Sequence, residues 1–264
     1  MLFRKLKTYF KERSPDWLFA FLQMCYWAAH PKYPFIKISR AHGFWVARLR
    51  GNRFYFPTPR IGILAHFVGS YRRIYGRYFW VEKDEVVLDV GAYSGSFAVE
   101  AAKNAKKVLA IEPDLRTYKC LKRNVSNFAN ICPVNMGVWN SKAKLNLYVD
   151  PKCPLANSIV IPPLINNAVE IEVDTLDQIA EKAGFGAVDF LKINVEGAEL
   201  EALCGMEKTL RSVKKIVMDA HHVRNGKPTW PSVCKFLEDR GFQTRVDKEI
   251  EAVYAWKTGV QLAQ

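Results

Sequence analysis

The chain has 264 residues, 49% hydrophobic and 25% charged, an ordinary balance for a soluble α/β domain with a full core, alone or with a modest extension. Its formal net charge is +13, and residues 1–84 hold 16 Lys/Arg against 4 Asp/Glu, so nearly all the excess lies in the first third. Six scattered cysteines without a C-x-x-C pair argue against a disulfide framework or a structural zinc and point to a reducing, cytoplasmic setting.

Residues 1–16 read as a short basic amphipathic helix, with Leu2, Phe3, Leu6, Tyr9 and Phe10 on one side. Ser14-Pro15-Asp16 is suited to cap the next helix, Trp17–Ala29, which carries no charge. Its 13 residues make about 20 Å of helix, short of the roughly 20 residues that a bilayer core requires. His30-Pro31-Lys32 stands where a signal peptide needs small residues. Two readings follow: the helix packs across the catalytic domain, or it lies in a membrane interface with its tryptophans at headgroup depth. Residues 1–30 are therefore a candidate contact for an anionic membrane surface, with nucleic acid, an acidic substrate or plain solvation as the other readings of the basic third.

Phe35–Ser39 alternates, and Phe44–Leu49 with Arg53–Phe56 reads as a hairpin around Arg50-Gly51-Asn52. A helix is expected over Ile61–Gly76, and residues 1–81 form an extension or cap on a domain spanning 82–264. From there β and α alternate as in a doubly wound sheet, mostly parallel with an antiparallel last strand. Strands are expected at 86–90, 107–111, 131–135, 169–173, 188–193, 214–219, 242–246 and 252–257. Helices are expected at 95–104, 114–127, 198–210 and 229–240, with another ending at Ala183. An extended insertion over 138–149 precedes a Pro/Asn-rich loop, Asp150–Asn167, too long for a plain connection and so either disordered or a lid.

The organising stretch is V-V-L-D-V-G-A-Y-S-G, residues 86–95, with Glu112 at the tip of the next strand. A continuous apolar run closed by glycine marks a buried parallel strand, and the glycines let backbone approach a ligand. Glu112 lies 21 residues past Gly91, the usual offset of a ribose-hydroxyl acceptor. Tyr93 stands where a dinucleotide fingerprint has its second glycine, so a cofactor without phosphate, S-adenosylmethionine, fits better than NAD. Asp89, inside the strand, needs donors from the loop or from a cationic cofactor.

Strand tips also deliver Asn135, Asn194 with Glu196, and Asp219 with His221 and His222. For a hydroxyl acceptor a base must take a proton, and either histidine qualifies. Glu196 and Glu199 near a helix start gain from the helix dipole, and the equal alternative is that Asn194 and Glu196 face the acceptor or the transferred methyl. Lys192 in an apolar strand is costly without a partner, and Ser158 is placed to touch a ligand if the loop closes. No metal is assigned.

L-D-V-G-A-Y-S-G-S-F (88–97), A-I-E-P-D (110–114), V-D-T-L-D (173–177), L-K-I-N-V-E-G-A-E-L-E-A-L-C-G (191–205) and, more loosely, D-A-H-H (219–222) resemble the FkbM-family methyltransferases over about residues 85–222. The resemblance implies a class I, Rossmann-like S-adenosylmethionine-binding fold and methylation of hydroxyls on sugars and natural products. It implies that Asp89, Gly91 and Gly95 line the methionine end, with Ala92 and Tyr93 also among the cofactor-binding candidates. Glu112 and Pro113 would hold the ribose, and the residues around Asn135 and Gly137 would flank adenine. The family pattern reads L-K-I-D-V-E-G, where this chain has Asn194. Asparagine can orient a hydroxyl but cannot act as a carboxylate base, which moves the base role to a histidine. The candidate catalytic set is thus Asn194, Glu196, Asp219, His221 and His222.

The leading reading is an S-adenosylmethionine-dependent O-methyltransferase acting on a small molecule, glycan or lipid-linked acceptor. The alternatives are a nucleic-acid methyltransferase using the basic N-terminus, an NAD-dependent oxidoreductase, and a non-catalytic membrane-peripheral binding protein.

Overall fold

A computed structural model describes residues 14–30, 34–60, 63–67, 71–160 and 167–262. The helix expected over 1–16 therefore falls almost wholly outside the described residues. Helix α1 (Asp16–Ala29) precedes a three-stranded meander, β1 (Lys37–Ala41), β2 (Phe44–Leu49) and β3 (Asn52–Phe56). Its two tight turns, His42-Gly43 and Arg50-Gly51, have φ of 52°, 80°, 49° and 83°. Positive φ at both central residues is the type I′ geometry that matches strand twist. The turn thus closes one residue earlier than the sequence suggested, and Asn52 joins β3.

In place of one helix over 61–76 the described residues hold two short ones, α2 (Ile63–Phe67) and α3 (Tyr71–Tyr75). The next elements are β4 (Val86–Val90), α4 (Ser96–Ala101), β5 (Lys107–Ile111), α5 (Leu115–Asn124) and β6 (Ile131–Val134). A side sheet follows from β7 (Gly137–Val138), β8 (Ala143–Tyr148) and β9 (Ala168–Asp174), then α6 (Leu176–Lys182). The chain continues with β10 (Phe190–Ile193), α7 (Glu199–Cys204), α8 (Glu207–Ser212) and β11 (Lys215–Asp219). A small hairpin, β12 (Val223–Arg224) and β13 (Lys227–Pro228), leads to α9 (Trp230–Glu238), β14 (Gln243–Asp247) and β15 (Ala252–Trp256).

The main sheet has the order β14-β15-β11-β10-β4-β5-β6. Only β15 runs against the rest, antiparallel to both β11 and β14. This is the Rossmann-like class I methyltransferase sheet, with an N-terminal helix and hairpin added. Strands covered on both faces read as continuous apolar runs, as β4 and β5 do. Leu88, Val90, Leu109 and Ile111 point into one core with α6, α7 and α9. Val87, Val108, Ala110, Phe190 and Val217 point into a second, roofed by Tyr75, Phe79, Trp80 and Phe97. The segment before the expected 81/82 boundary is thus built into the main sheet's own core. A third core joins Ala20 and Trp27 of α1 to Ile38, Trp45, Ala47, Phe54 and Phe56 of the meander, and it includes Tyr93.

Two expectations need correction, and one element went unread. Strand 169–173 does not enter the main sheet: as β9 it pairs with β8 and β7, which also gives the insertion at 138–149 its partner. The helix expected over 198–210 breaks into α7 and α8, because Gly205 lies against the backbone of Trp139. A Cβ there would stand 2.1 Å from the Trp139 carbonyl oxygen. Asp177 then caps α8 through the backbone N–H groups of Lys208 and Thr209, at 2.8 and 2.7 Å. The hairpin β12–β13 had a readable signal, Asn225-Gly226, with φ of 51° and 74°.

Gly205→Ala is expected to cost about 2–4 kcal/mol in urea unfolding through that clash. Gly186→Ala, where nothing lies within 4 Å of the new Cβ, is expected to stay within about 0.5 kcal/mol of the parent.

Candidate active site

Ligands in open α/β sheets bind beyond the carboxyl ends of the strands. Beneath that rim Asp89 and Lys192 are register neighbours on β4 and β10, both buried, with Nζ 3.0 Å from Oδ1. Lys192 also donates to the Gly91 carbonyl at 2.8 Å, and its ammonium lies 5.9 Å from the ring centres of Tyr75 and Phe97. Burial pushes the Asp89 carboxyl up, and the Lys192 charge and hydrogen bond oppose that shift. The donor that Asp89 needs is therefore a lysine 103 residues away on the adjacent strand. Asp89 sits one layer below the cavities, and Lys192 reaches their wall.

Gly91 turns at φ 73°, and a Cβ there would lie 1.8 Å from the Asn194 carbonyl oxygen. Only glycine lets the ends of β4 and β10 meet this closely. Tyr93 follows at φ 52°, with its N–H donating to Glu112 Oε2 at 2.9 Å. The other Glu112 oxygen accepts the Asp114 N–H at 3.0 Å. Burial, then the Asp114 charge, pushes the Glu112 carboxyl up to about 8. Asn135 Nδ2 donates to the carbonyls of Glu112 and Pro113 at 2.8 and 2.9 Å, so it braces the strand tip from behind. Gly95, at φ 91°, seats α4 against Leu121, whose Cδ1 would be 2.6 Å from a Cβ.

Two adjoining cavities open here. The first, about 60 Å³, is walled by Gly91, Ile111, Glu112, Pro113, Met136, Gly137 and Val138, with Pro154, Leu155, Asn157 and Ile159 as a roof. The roof belongs to the long loop, whose described part is ordered around a short 3₁₀ turn, Pro154–Ala156. Ser158 fixes it to the site by donating to the Glu196 carbonyl at 2.6 Å. The second cavity, about 350 Å³, is walled by Ala92, Phe97, Lys192, Asp219 and His221, with Tyr71 and Tyr75 from the preceding segment. Gly91, Tyr93, Asn194 and Glu196 line both.

The histidines divide sharply. His221 is exposed, with Nδ1 2.5 Å from Asp219 Oδ1. His222 is buried between two carboxylates, Nε2 to Glu196 Oε2 and Nδ1 to Glu199 Oε1, each at 3.1 Å. Burial alone would push its imidazole down, but the hydrogen bonds and charges of Glu196 and Glu199 outweigh that and hold it up at about 10. It is an imidazolium at neutral pH. Glu196 adopts φ 50° to make this contact, a conformation costly for a residue with a Cβ. Glu196, His221 and His222 present ligand atoms within 4.8 Å of one another, a possible cation cluster among the described residues. Hydrogen bonds already account for both ring nitrogens of His222 and one of His221.

The site thus collects Gly91, Ala92, Tyr93, Glu112, Pro113, Gly137, Asn194, Glu196, Asp219 and His221 on cavity walls. Asp89, Gly95, Asn135 and His222 stand behind them. Sequence reasoning missed Tyr71 and Tyr75, whose only signal was an i,i+4 tyrosine pair, whereas the Leu155 roof belongs to the long loop expected to be disordered or a lid. S-adenosylmethionine fits the walls. The first cavity pairs apolar sides with the Glu112 carboxylate, and each of its oxygens keeps a lone pair for a ribose hydroxyl. Asn194 Oδ1 and the Tyr93 hydroxyl are buried without a hydrogen-bond partner among the described residues. Such groups await a donor or acceptor from a ligand.

The sequence profile of the methyltransferase FkbM domain matches residues 89–244. The hexuronic acid methyltransferase AglP of Haloferax volcanii is 27% identical over 168 residues, covering 63% of this chain and 67% of the relative. The methyltransferase sdnD of Sordaria araneosa is 25% identical over 198 residues, covering 61% and 75%. The crystal structure of a methyltransferase FkbM from Methylobacillus flagellatus superposes with a TM-score of 0.44 at 18% identity. That match covers 66% of this chain and 44% of the crystallised one, so this chain spans less than half of its length.

Lys192→Met leaves Asp89 buried without its counter-charge, and is expected to cost about 3–5 kcal/mol in urea unfolding. Adding Asp89→Leu is expected to restore most of that loss. Equal stability of the single variant and the parent would show that the pair holds nothing.

Proposed function

We propose, on the premise that this chain belongs to the FkbM family of S-adenosylmethionine-dependent methyltransferases, that it methylates a hydroxyl oxygen of a glycan, free or lipid-linked, or of a small molecule. Family membership sets aside the oxidoreductase and non-catalytic alternatives. The observation that carries the choice of oxygen is the His221–Asp219 pair on the wall of the second cavity. A carboxylate on Nδ1 keeps the proton there and leaves Nε2 to accept one from an acceptor hydroxyl. His222, already protonated, serves instead to hold Glu196 and Glu199 in place. Asn194, at the junction of the two cavities, is suited to orient the hydroxyl through its amide. Bound S-adenosylmethionine supplies an electrophilic methyl group, so the protein has chiefly to align the partners and take up a proton. A glycan acceptor is further supported by the relative whose name records methylation of hexuronic acid.

Label from methyl-labelled cofactor is expected on oxygen in a panel of acidic and neutral oligosaccharides, phenols and RNA, read by mass spectrometry. Label on RNA alone, or on nitrogen, would refute the reading. His221→Asn is expected to lower kcat about 10²–10⁴-fold with cofactor affinity nearly unchanged; unaltered kcat would remove the histidine base.

Cofactor affinity is expected to rise with pH. The Glu112 carboxyl, ordinarily at 4.5, is held up at about 8 in the free protein, and a ribose diol prefers its ionised form. Being raised, this group contributes stability below its unfolded value that fades as pH climbs through its folded value. Affinity for S-adenosylhomocysteine should climb over that same window with release of a proton, seen by calorimetry in buffers of different ionisation enthalpy. Glu112→Gln should flatten the profile and weaken binding.

A further inference from the structure

The most anomalous surface in the molecule is the outer side of α1. On a helix with 3.6 residues per turn, Trp17, Phe21, Leu22, Cys25, Tyr26, Ala28 and Ala29 fall within an arc of about 180°, and all are exposed. Trp17 is 65% exposed and Phe21 55%. No residue of that arc is charged. The inner side is already satisfied, with Ala20 and Trp27 in the third core. Apolar faces of this kind on a single chain mark a contact surface rather than ordinary scatter.

We propose that this face of α1 lies in the interface of an anionic lipid bilayer, parallel to the membrane plane. The helix has 14 residues, and no described helix is long and apolar enough to cross a membrane. Interfacial helices instead combine a buried apolar side, aromatic residues at headgroup depth and nearby cations. Trp17 and Tyr26 stand near the two ends of the face. In sequence the helix is bracketed by Arg4, Lys5, Lys7, Lys11 and Arg13 on one side and Lys32 and Lys37 on the other. That charge selects the occupant. Two copies meeting through this face would bring together segments that each hold 16 basic and 4 acidic residues over positions 1–84. Anionic headgroups neutralise the same excess. Nucleic acid needs cations on the contact surface itself, and the arc has none.

The location has a consequence for the reaction. The core behind α1 includes Tyr93, with Leu155 packed against it, and both residues wall the two cavities. A bilayer on the outer side of α1 would therefore lie one packed layer from the active site, as suits an acceptor presented at a membrane.

The test is flotation of the full chain with vesicles of phosphatidylcholine alone and of phosphatidylcholine mixed with phosphatidylglycerol. The parent is expected to bind the mixed vesicles at least about tenfold more tightly, and Trp17→Glu with Phe21→Glu to lose at least about tenfold of that affinity. Both positions are exposed, so thermal unfolding and S-adenosylhomocysteine affinity should match the parent and exclude misfolding. Phe21→Trp should retain binding. Failure to float, equal flotation of the double Glu variant, a salt-sensitive RNA shift without flotation, or a dimer dissolved by the same substitutions would each overturn the proposal.

Discussion

The site depends on one buried ion pair. Asp89 and Lys192, both buried, face each other across β4 and β10, and Lys192 uses a second donor on the Gly91 carbonyl. A buried pair of this kind contributes little net stability over apolar residues, yet breaking one half is expensive. Its effect is therefore geometric. It fixes the height of the Gly91 turn against β10, and from that turn follow the Tyr93 N–H on Glu112 and the approach of Asn194.

A second layer of charge stands on the other side of the same turn. Glu196, Glu199 and Asp219 would repel one another if left alone. His222 sits between the first two and offsets one of their two charges, and His221 is held by the third at the cavity edge. Two adjacent imidazoles thus acquire different work from their surroundings. One is a fixed cation, closed off by burial and by two carboxylates, and the other lies exposed on the wall of the larger cavity.

The N-terminal segment completes the site. Tyr71 and Tyr75 form one wall of the larger cavity, and the core under α1 ends in Tyr93 and Leu155. The roof from Pro154 to Ile159 covers the smaller cavity. Ser158 on the Glu196 carbonyl fastens that roof to the site, and its backbone pairs with Tyr148 on β8.

The sequence by itself determined the sheet and its rim. Unbroken apolar runs separated by helices read as strands of a sheet covered on both faces, and the parallel direction of β4, β5, β10 and β11 then puts Gly91, Glu112, Asn194, Asp219 and the histidines at one edge. Short-range chemistry also marked the two-residue turns, although the Asn225-Gly226 pair went unused. Tertiary structure alone decided the partners. Lys192 for Asp89, Glu199 for His222 and Trp139 against Gly205 are matches across tens of residues, and no local period encodes them. It also decided where β9 pairs, although its alternating V-E-I-E-V-D already differed from the unbroken runs of β4 and β5 and fits a strand with one face in solvent. The outer face of α1 was apolar in either view, but only the packed fold showed which half of the helix the protein's own core had left uncovered.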